Sequence, residues 1–320
     1  MSERFIYENA RIKSMEVKLL TSQSLQRLFD CTTQSAAFRT LCDMGFGVGA
    51  SVEQDDFDAL FKAEEARQVA FLKEFNVAGA LDAFLIQYDF LNLKFILKAQ
   101  AQGKEPVDRG PEGLLSYDDV KAIAEEQNEE KLTGDLGRAT LETRALAAAK
   151  KLTPRAIDIT VDKFMYRRIF ASLLKGGKLL KRYFELKVDA ANLLSYLRCK
   201  KLGLGSEFFQ EGFIDGGKLV ALKGMYDSTQ EALWDAVKGT EFAEDFKKAA
   251  DGGDLIAFEV ACDNILLAMI KKERDDMFSV APIAAYYLSR VTELKAAKLI
   301  VAGIKNGVDE TLIRERLRDV

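Results

Sequence analysis

The chain has 320 residues, 48% apolar and 30% charged, with a formal net charge of -4 and no histidine. That length suits one large domain or two to three smaller ones, and so small a net charge does not point to nucleic acid. Without histidine the commonest general base near neutral pH is missing, so catalysis would be left to lysine or carboxylate chemistry.

The opening segment, MSERFIYENARIKSMEVKLL, carries charges throughout and has no apolar signal core. No run of about 18 apolar residues follows, so the expectation is a protein without a membrane span, made and kept in the cytoplasm. Cys31, Cys42, Cys199 and Cys262 are scattered without a C-x-x-C pair and read as buried free thiols. GFGVG, with Gly45, Gly47 and Gly49, superficially resembles a phosphate-binding glycine loop. A helix-like segment precedes it, however, and no nucleotide fingerprint is completed, so it reads as a loop that ends a helix. Gly176-Gly177 reads as a turn for the same reason. The pairs Asp55-Asp56 and Asp275-Asp276 read as solvated helix ends, and the tyrosines and Trp234 as core.

Apolar residues recur at helical spacing in Leu81, Phe84, Leu85, Tyr88, Leu91, Phe95 and Ala99, which predicts a helix buried on that face. The stretches from Leu179 to Leu197 and from Ile283 to Lys298 follow the same rule. Only Pro106, Pro111, Pro154 and Pro282 interrupt, and strand-like alternation is not sustained, so the fold expected is all-α. Punctuation falls at Gln102 to Gly113 and at Leu202 to Gly217. Three helical domains of about a hundred residues are therefore expected, at 1–105, 106–205 and 206–320. Asp309 is placed to cap a last helix from Glu310 to Arg318.

One motif returns. Asp89, Asn92 and Leu93 form D-x-x-N-L in YDFLNLKFILKA, and Asp189, Asn192 and Leu193 repeat it in VDAANLLSYLRCK. A worn copy follows at similar spacing, where VTELKAAKLI keeps an acid at Glu293 but has Ala296 in place of asparagine. Repetition on amphipathic segments implies repeated helical units. On a helix, positions i and i+3 share a face. An amide beside an apolar stripe must then find partners, so a buried packing bond is favoured over a contact to a partner protein. A second feature is a basic stretch, Arg167, Arg168, Lys175, Lys178, Lys181, Arg182 and Lys187, preceded by the acidic Glu125, Glu126, Glu129 and Glu130. These are either solvated helix faces or a surface for an oppositely charged protein.

YDFLNLKFILKA, ANLLSYLRCKKLGL, GFIDGGKL and the closing PIAAYYLSRVTELKAAKLIVAGIKNGVDETLIRERL together carry a resemblance. The final G-x-x-x-x-x-I-R-E-R-L is its most specific part. Over essentially its whole length the chain resembles the C subunit of the V/A-type ATPases, the counterpart of the eukaryotic V-ATPase d subunit. Leu91, Leu194 and Ala296 depart from the family's pattern, which fits a packing role for the motif better than one shared contact. The resemblance implies a funnel of three similar helical domains about a pseudo-threefold axis. It implies a rotor component on the cytoplasmic face of the membrane, a socket joining the central shaft to the proteolipid ring. It also implies no chemistry, nucleotide, metal or other cofactor, and membrane contact only through the ring. By analogy, the basic stretch from Arg167 to Lys187 would face acidic partner surfaces. The competing readings are a soluble helical adaptor with unrelated partners and, behind it, a helical enzyme using carboxylate or lysine chemistry.

Overall fold

Helices account for the regular structure, and no strand occurs among the described residues, which are 2–107, 109–173 and 177–319 of a computed structural model. In chain order the helices begin with α1 (Ser2–Glu16), α2 (Ser22–Phe29), α3 (Gln34–Asp43) and α4 (Phe57–Glu74). There follow α5 (Asp82–Ala101), α6 (Tyr117–Glu125), α7 (Gly134–Ala148), α8 (Pro154–Leu173), α9 (Lys178–Lys201), α10 (Ser206–Gly212) and α11 (Gln230–Val237). The chain closes with α12 (Ala243–Gly252), α13 (Leu255–Lys271), α14 (Ala281–Asn306) and α15 (Glu310–Arg314). The all-α fold is as the residue pattern predicts.

Packing divides the chain into two compact units, one of Met1–Phe75 with Glu244–Val320 and the other of Asn76–Ala243. The first unit is thus built from both ends of the chain. Its long helix α14 packs against α1, α2, α3, α4 and α13. Leu28, Leu41, Leu60, Ala297 and Ile300 form the centre of its core and are essentially inaccessible. The second unit holds two motif helices. α5 packs against α6, α7 and α8, and α9 packs against α8 and α10. Phe84 of α5 meets Phe184 of α9 with ring centroids 5.4 Å apart. Each fully buried aromatic of this kind contributes about 1.5–3 kcal/mol through the surface it removes from water.

Local signals explain the helix ends. Thr21 caps α2 and Ser116 caps α6, each in a reciprocal box with the residue three further on. Asp56 caps α4 and Asp254 caps α13. Gly307, in the left-handed region at φ 63°, ends α14.

Several expectations are corrected. α5 is buried on most of its circumference. Asp89, Phe90, Asn92, Leu93, Ile96 and Leu97 are buried, whereas Tyr88, Leu91, Phe95 and Ala99 are only half-buried. A helix apolar on all sides has no single stripe by which to orient it. The segment from Leu202 to Gly217 contains α10, because Phe209 is fully buried among Tyr196, Phe213 and Tyr226. The last helix stops at Arg314 and continues as turns to Leu317, which frees Arg318 to reach sideways. Cys42 and Tyr7 are exposed, not buried. Gly176 lies outside the described residues, while Gly177 leads into α9.

Candidate interaction site: the loop clamps of the motif helices

The recurring acid and amide grip backbone. On α5, Asp89 accepts from the Leu115 amide at 3.1 Å. One turn on, Asn92 accepts from the Gly110 amide at 2.8 Å and donates to the Pro111 carbonyl at 2.9 Å. On α9, Asp189 accepts from the Lys218 and Leu219 amides at 3.0 and 2.9 Å. Asn192 accepts from the Ile214 amide at 3.0 Å and donates to its carbonyl at 2.8 Å. The motif therefore pins the loop that follows its own helix. Buried loop backbone without such partners would cost about 1–3 kcal/mol for each unpaired group. Leu93 and Leu193 point into the core and are fully buried.

Each loop approaches so closely that it needs glycine. A Cβ on Gly113 would lie 2.3 Å from the Leu85 carbonyl oxygen and 2.4 Å from an Asp89 carboxylate oxygen. A Cβ on Gly217 would lie 2.1 Å from an Asp189 carboxylate oxygen. Both glycines sit two residues before a leucine whose amide is gripped.

The worn third copy grips a loop from the other end of the chain. Glu293 on α14 accepts from the Leu20 amide at 2.6 Å. Two residues before Leu20 stands Lys18, not glycine, and the acid is glutamate, one methylene longer. At this position the third copy holds a lysine side chain where the first two have glycine. The lost asparagine has a cause. Upstream of Leu20 lies α1, helical to Glu16, and the Lys18 and Leu19 amides already bond to Met15 and Glu16. An amide side chain at Ala296 would find no free backbone pair of the kind that Asn92 and Asn192 hold.

A charged cluster takes its place. Arg290 bridges Glu293 at 2.5 Å and Glu64 of α4 at 3.1 Å, and all three are buried. Glu64 also accepts from the Gly47 amide at 2.8 Å, and Arg67 donates to the Gly45 carbonyl at 3.0 Å. The GFGVG segment is thus a loop after α3, with Gly45, Gly47 and Gly49 at positive φ, tied to α4 by a carboxylate. An anion could not take the amide that Glu64 already holds. Burial pushes Glu293 above the usual carboxylate range, opposed mainly by Arg290 and by its bond from the Leu20 amide. Asp189 is raised by burial too, opposed mainly by its bonds from the Leu219 and Lys218 amides.

The I-R-E-R-L ending straps the first unit together. Ile313 lies so close to Gly303 of α14 that a Cβ there would meet its Cδ1 at 2.1 Å. Arg314 reaches α2, donating to Gln26 at 2.6 Å with its guanidinium 4.2 Å from the Phe29 ring centre. Arg318 reaches the other way to Asp263 of α13 at 2.9 Å.

The basic stretch is largely occupied within the chain. Arg167 binds Asp135 at 2.7 Å, Lys181 faces Glu185, Arg182 binds Glu241, and Lys187 donates to Gln87 at 2.7 Å. Arg168 and Lys178 are exposed and make no ion pair with a described residue, and Lys175 lies outside the described residues. Glu125, Glu129 and Glu130 are exposed. Among the described residues, no group of three His, Cys, Asp or Glu side chains is placed to hold a metal ion. None of the described helices is long and apolar enough to cross a membrane.

Such a fold is an all-α protein in which a buried carboxylate grips loop backbone at three places. The chain belongs to the ATP synthase (C/AC39) subunit family, whose pattern matches residues 9–316. It is 28% identical to the C subunit of the A-type ATP synthase of a Desulfurococcus species, over 99% of this chain and 91% of that protein. It is 24% identical to the protein of the same name from Thermococcus kodakarensis, again over 99% and 91%. The corresponding protein of Methanocaldococcus jannaschii is 22% identical over 93% of this chain and 82% of its own.

Proposed function

We propose that this protein is a non-catalytic rotor component of an A-type ATP synthase, a socket that joins the central shaft to the proteolipid ring. The observation that carries this reading is the family match across residues 9–316, with relatives named as the C subunit of A-type ATP synthases over nearly their full length. The clamps support it mechanically. A part that transmits torque must not yield, and at three places a buried carboxylate fixes a loop to a long helix. The reading also includes three repeated helical domains, near the expected 1–105, 106–205 and 206–320, arranged as a funnel on the inner face of the membrane. The threefold recurrence of the clamp supports that repetition.

The partners are then the shaft proteins and the ring, with the membrane reached only through the ring. Among the described members of the basic stretch, Arg168 and Lys178 are exposed, make no ion pair with a described residue, and are available to an acidic partner surface. The test is binding of purified shaft proteins to wild type and to Arg168→Glu/Lys178→Glu across salt concentrations. Weaker binding with a flatter salt dependence is expected. Binding that is equal at every salt concentration would remove the basic stretch from the interface. Absence of any binding by the wild type would remove the function.

A further inference from the structure

In the first unit a cleft of about 680 Å³ opens between α13, α14 and the turns after α15. Its floor is apolar, including Leu299 and Ile256, and Ile256 is 44% exposed. Its rim is basic, and the charges there do not balance. Asp263 accepts from Arg318 at 2.9 Å, and the Lys295 ammonium stands off the same carboxylate oxygen at 3.6 Å. One carboxylate oxygen therefore serves two cations, while Arg318 also reaches Glu259, the second acid of the cleft, at 3.4 Å. Arg316 lines the same cleft, is exposed, and makes no ion pair with a described residue. With Lys298 paired to Glu65, the rim sets Lys295, Arg316 and Arg318 against Asp263 and Glu259, one cation more than its acids, beside an apolar floor.

We propose that this cleft docks an acidic amphipathic segment of another protein of the same ATP synthase. One carboxylate of the segment lies between Lys295 and Arg316, and a neighbouring apolar side chain covers Ile256 and Leu299. The proposal rests on the rotor reading, since that reading supplies the partner. Two features of the cleft favour a protein segment over a small anion. Its volume of about 680 Å³ is far more than a small anion fills. A lone anion would satisfy the rim but leave the apolar floor in water. The tail's own role in the fold is undisturbed, because Ile313 and Arg314 make the contacts to α14 and α2 while Arg316 makes none of them.

The test places a photo-crosslinker at the floor, Ile256→p-benzoylphenylalanine, in the intact ATP synthase, and maps the product by mass spectrometry. The expected product joins residue 256 to a segment of a different protein of the complex that carries Asp or Glu beside an apolar residue. Adding Lys295→Glu/Arg316→Glu should lower its yield about tenfold, and the milder Lys295→Gln/Arg316→Gln less. Both positions are exposed, so the variants are expected to fold, and a thermal melt checks this. With the chain present in the complex, crosslinks only within the chain, to a second copy of it, or to a segment without acids overturn the docking site. A yield indifferent to charge overturns it too. If the chain is absent from the purified complex, the rotor reading itself fails and the docking site with it.

Discussion

Replacing Asn192 with leucine removes the second clamp's amide while nearly keeping its volume. The side chain is 2% exposed, and it both accepts from and donates to Ile214, at 3.0 and 2.8 Å. Without it, one N–H and one C=O of a half-buried loop lose their partner. At about 1–3 kcal/mol per unsatisfied group, and with water able to reach part of the loop, the cost is about 2–4 kcal/mol. The loss is local, so it is best read locally. Amide hydrogen exchange of the peptide spanning 213–222 should accelerate roughly 30-fold to several hundred-fold, because each 1.36 kcal/mol is a factor of ten in the opening equilibrium. A peptide from the buried middle of α8 should change far less. The unfolding midpoint should fall by about 4–12 °C. Unchanged exchange at 213–222 would refute the clamp and return the asparagine to a surface or partner role.

Gly217→Ala should destabilise by about 1–3 kcal/mol in a thermal melt, since its Cβ would meet Asp189 at 2.1 Å. Gly239→Ala, where nothing lies within 4 Å, should stay within about 0.5 kcal/mol. Arg290→Met leaves Glu293 buried without its ion pair and Glu64 with only the partly exposed Arg67, and should cost about 3–5 kcal/mol by chemical denaturation. Asp162 provides a pH test. Its carboxyl is raised by burial, against the pull of Lys94 at 2.6 Å. The folded state therefore holds this proton more tightly than the unfolded chain does. Its contribution is fully present below the ordinary Asp value of 3.8 and is lost as pH rises through the raised one. Asp162→Asn should accordingly gain stability relative to wild type as pH rises through that window, and melts from pH 4 upward check the sign.

The helices are legible in the sequence because their periodicity is strong and breakers are few. The repeat is legible because Asp89 and Asn92 return as Asp189 and Asn192. What they hold is not legible, because a carboxylate gripping backbone amides leaves no partner side chain to read. A fainter signal lies in Leu19-Leu20-Thr21, Leu114-Leu115-Ser116 and Lys218-Leu219-Val220, which recur at roughly the spacing of the motif and carry the gripped amides. The buried face of α5 cannot be picked out by pattern because apolar residues surround that helix. The pairing of the two chain ends in one unit is hidden as well. Glu293 meets Leu20, and Arg290 meets Glu64, across separations that no local pattern encodes. The basic stretch reads as one surface, yet three of its charges, Arg167, Lys181 and Arg182, are spent on Asp135, Glu185 and Glu241, two of which lie far from it in the sequence.

Mechanical coupling is decided by reconstitution. An A-type ATP synthase assembled in vesicles with and without this chain is assayed for ATP hydrolysis and for ATP-driven ion uptake together. If the chain joins shaft to ring, hydrolysis proceeds in both preparations while ion uptake requires the chain. Equal ion uptake per ATP with and without it would mean that torque reaches the ring by another route.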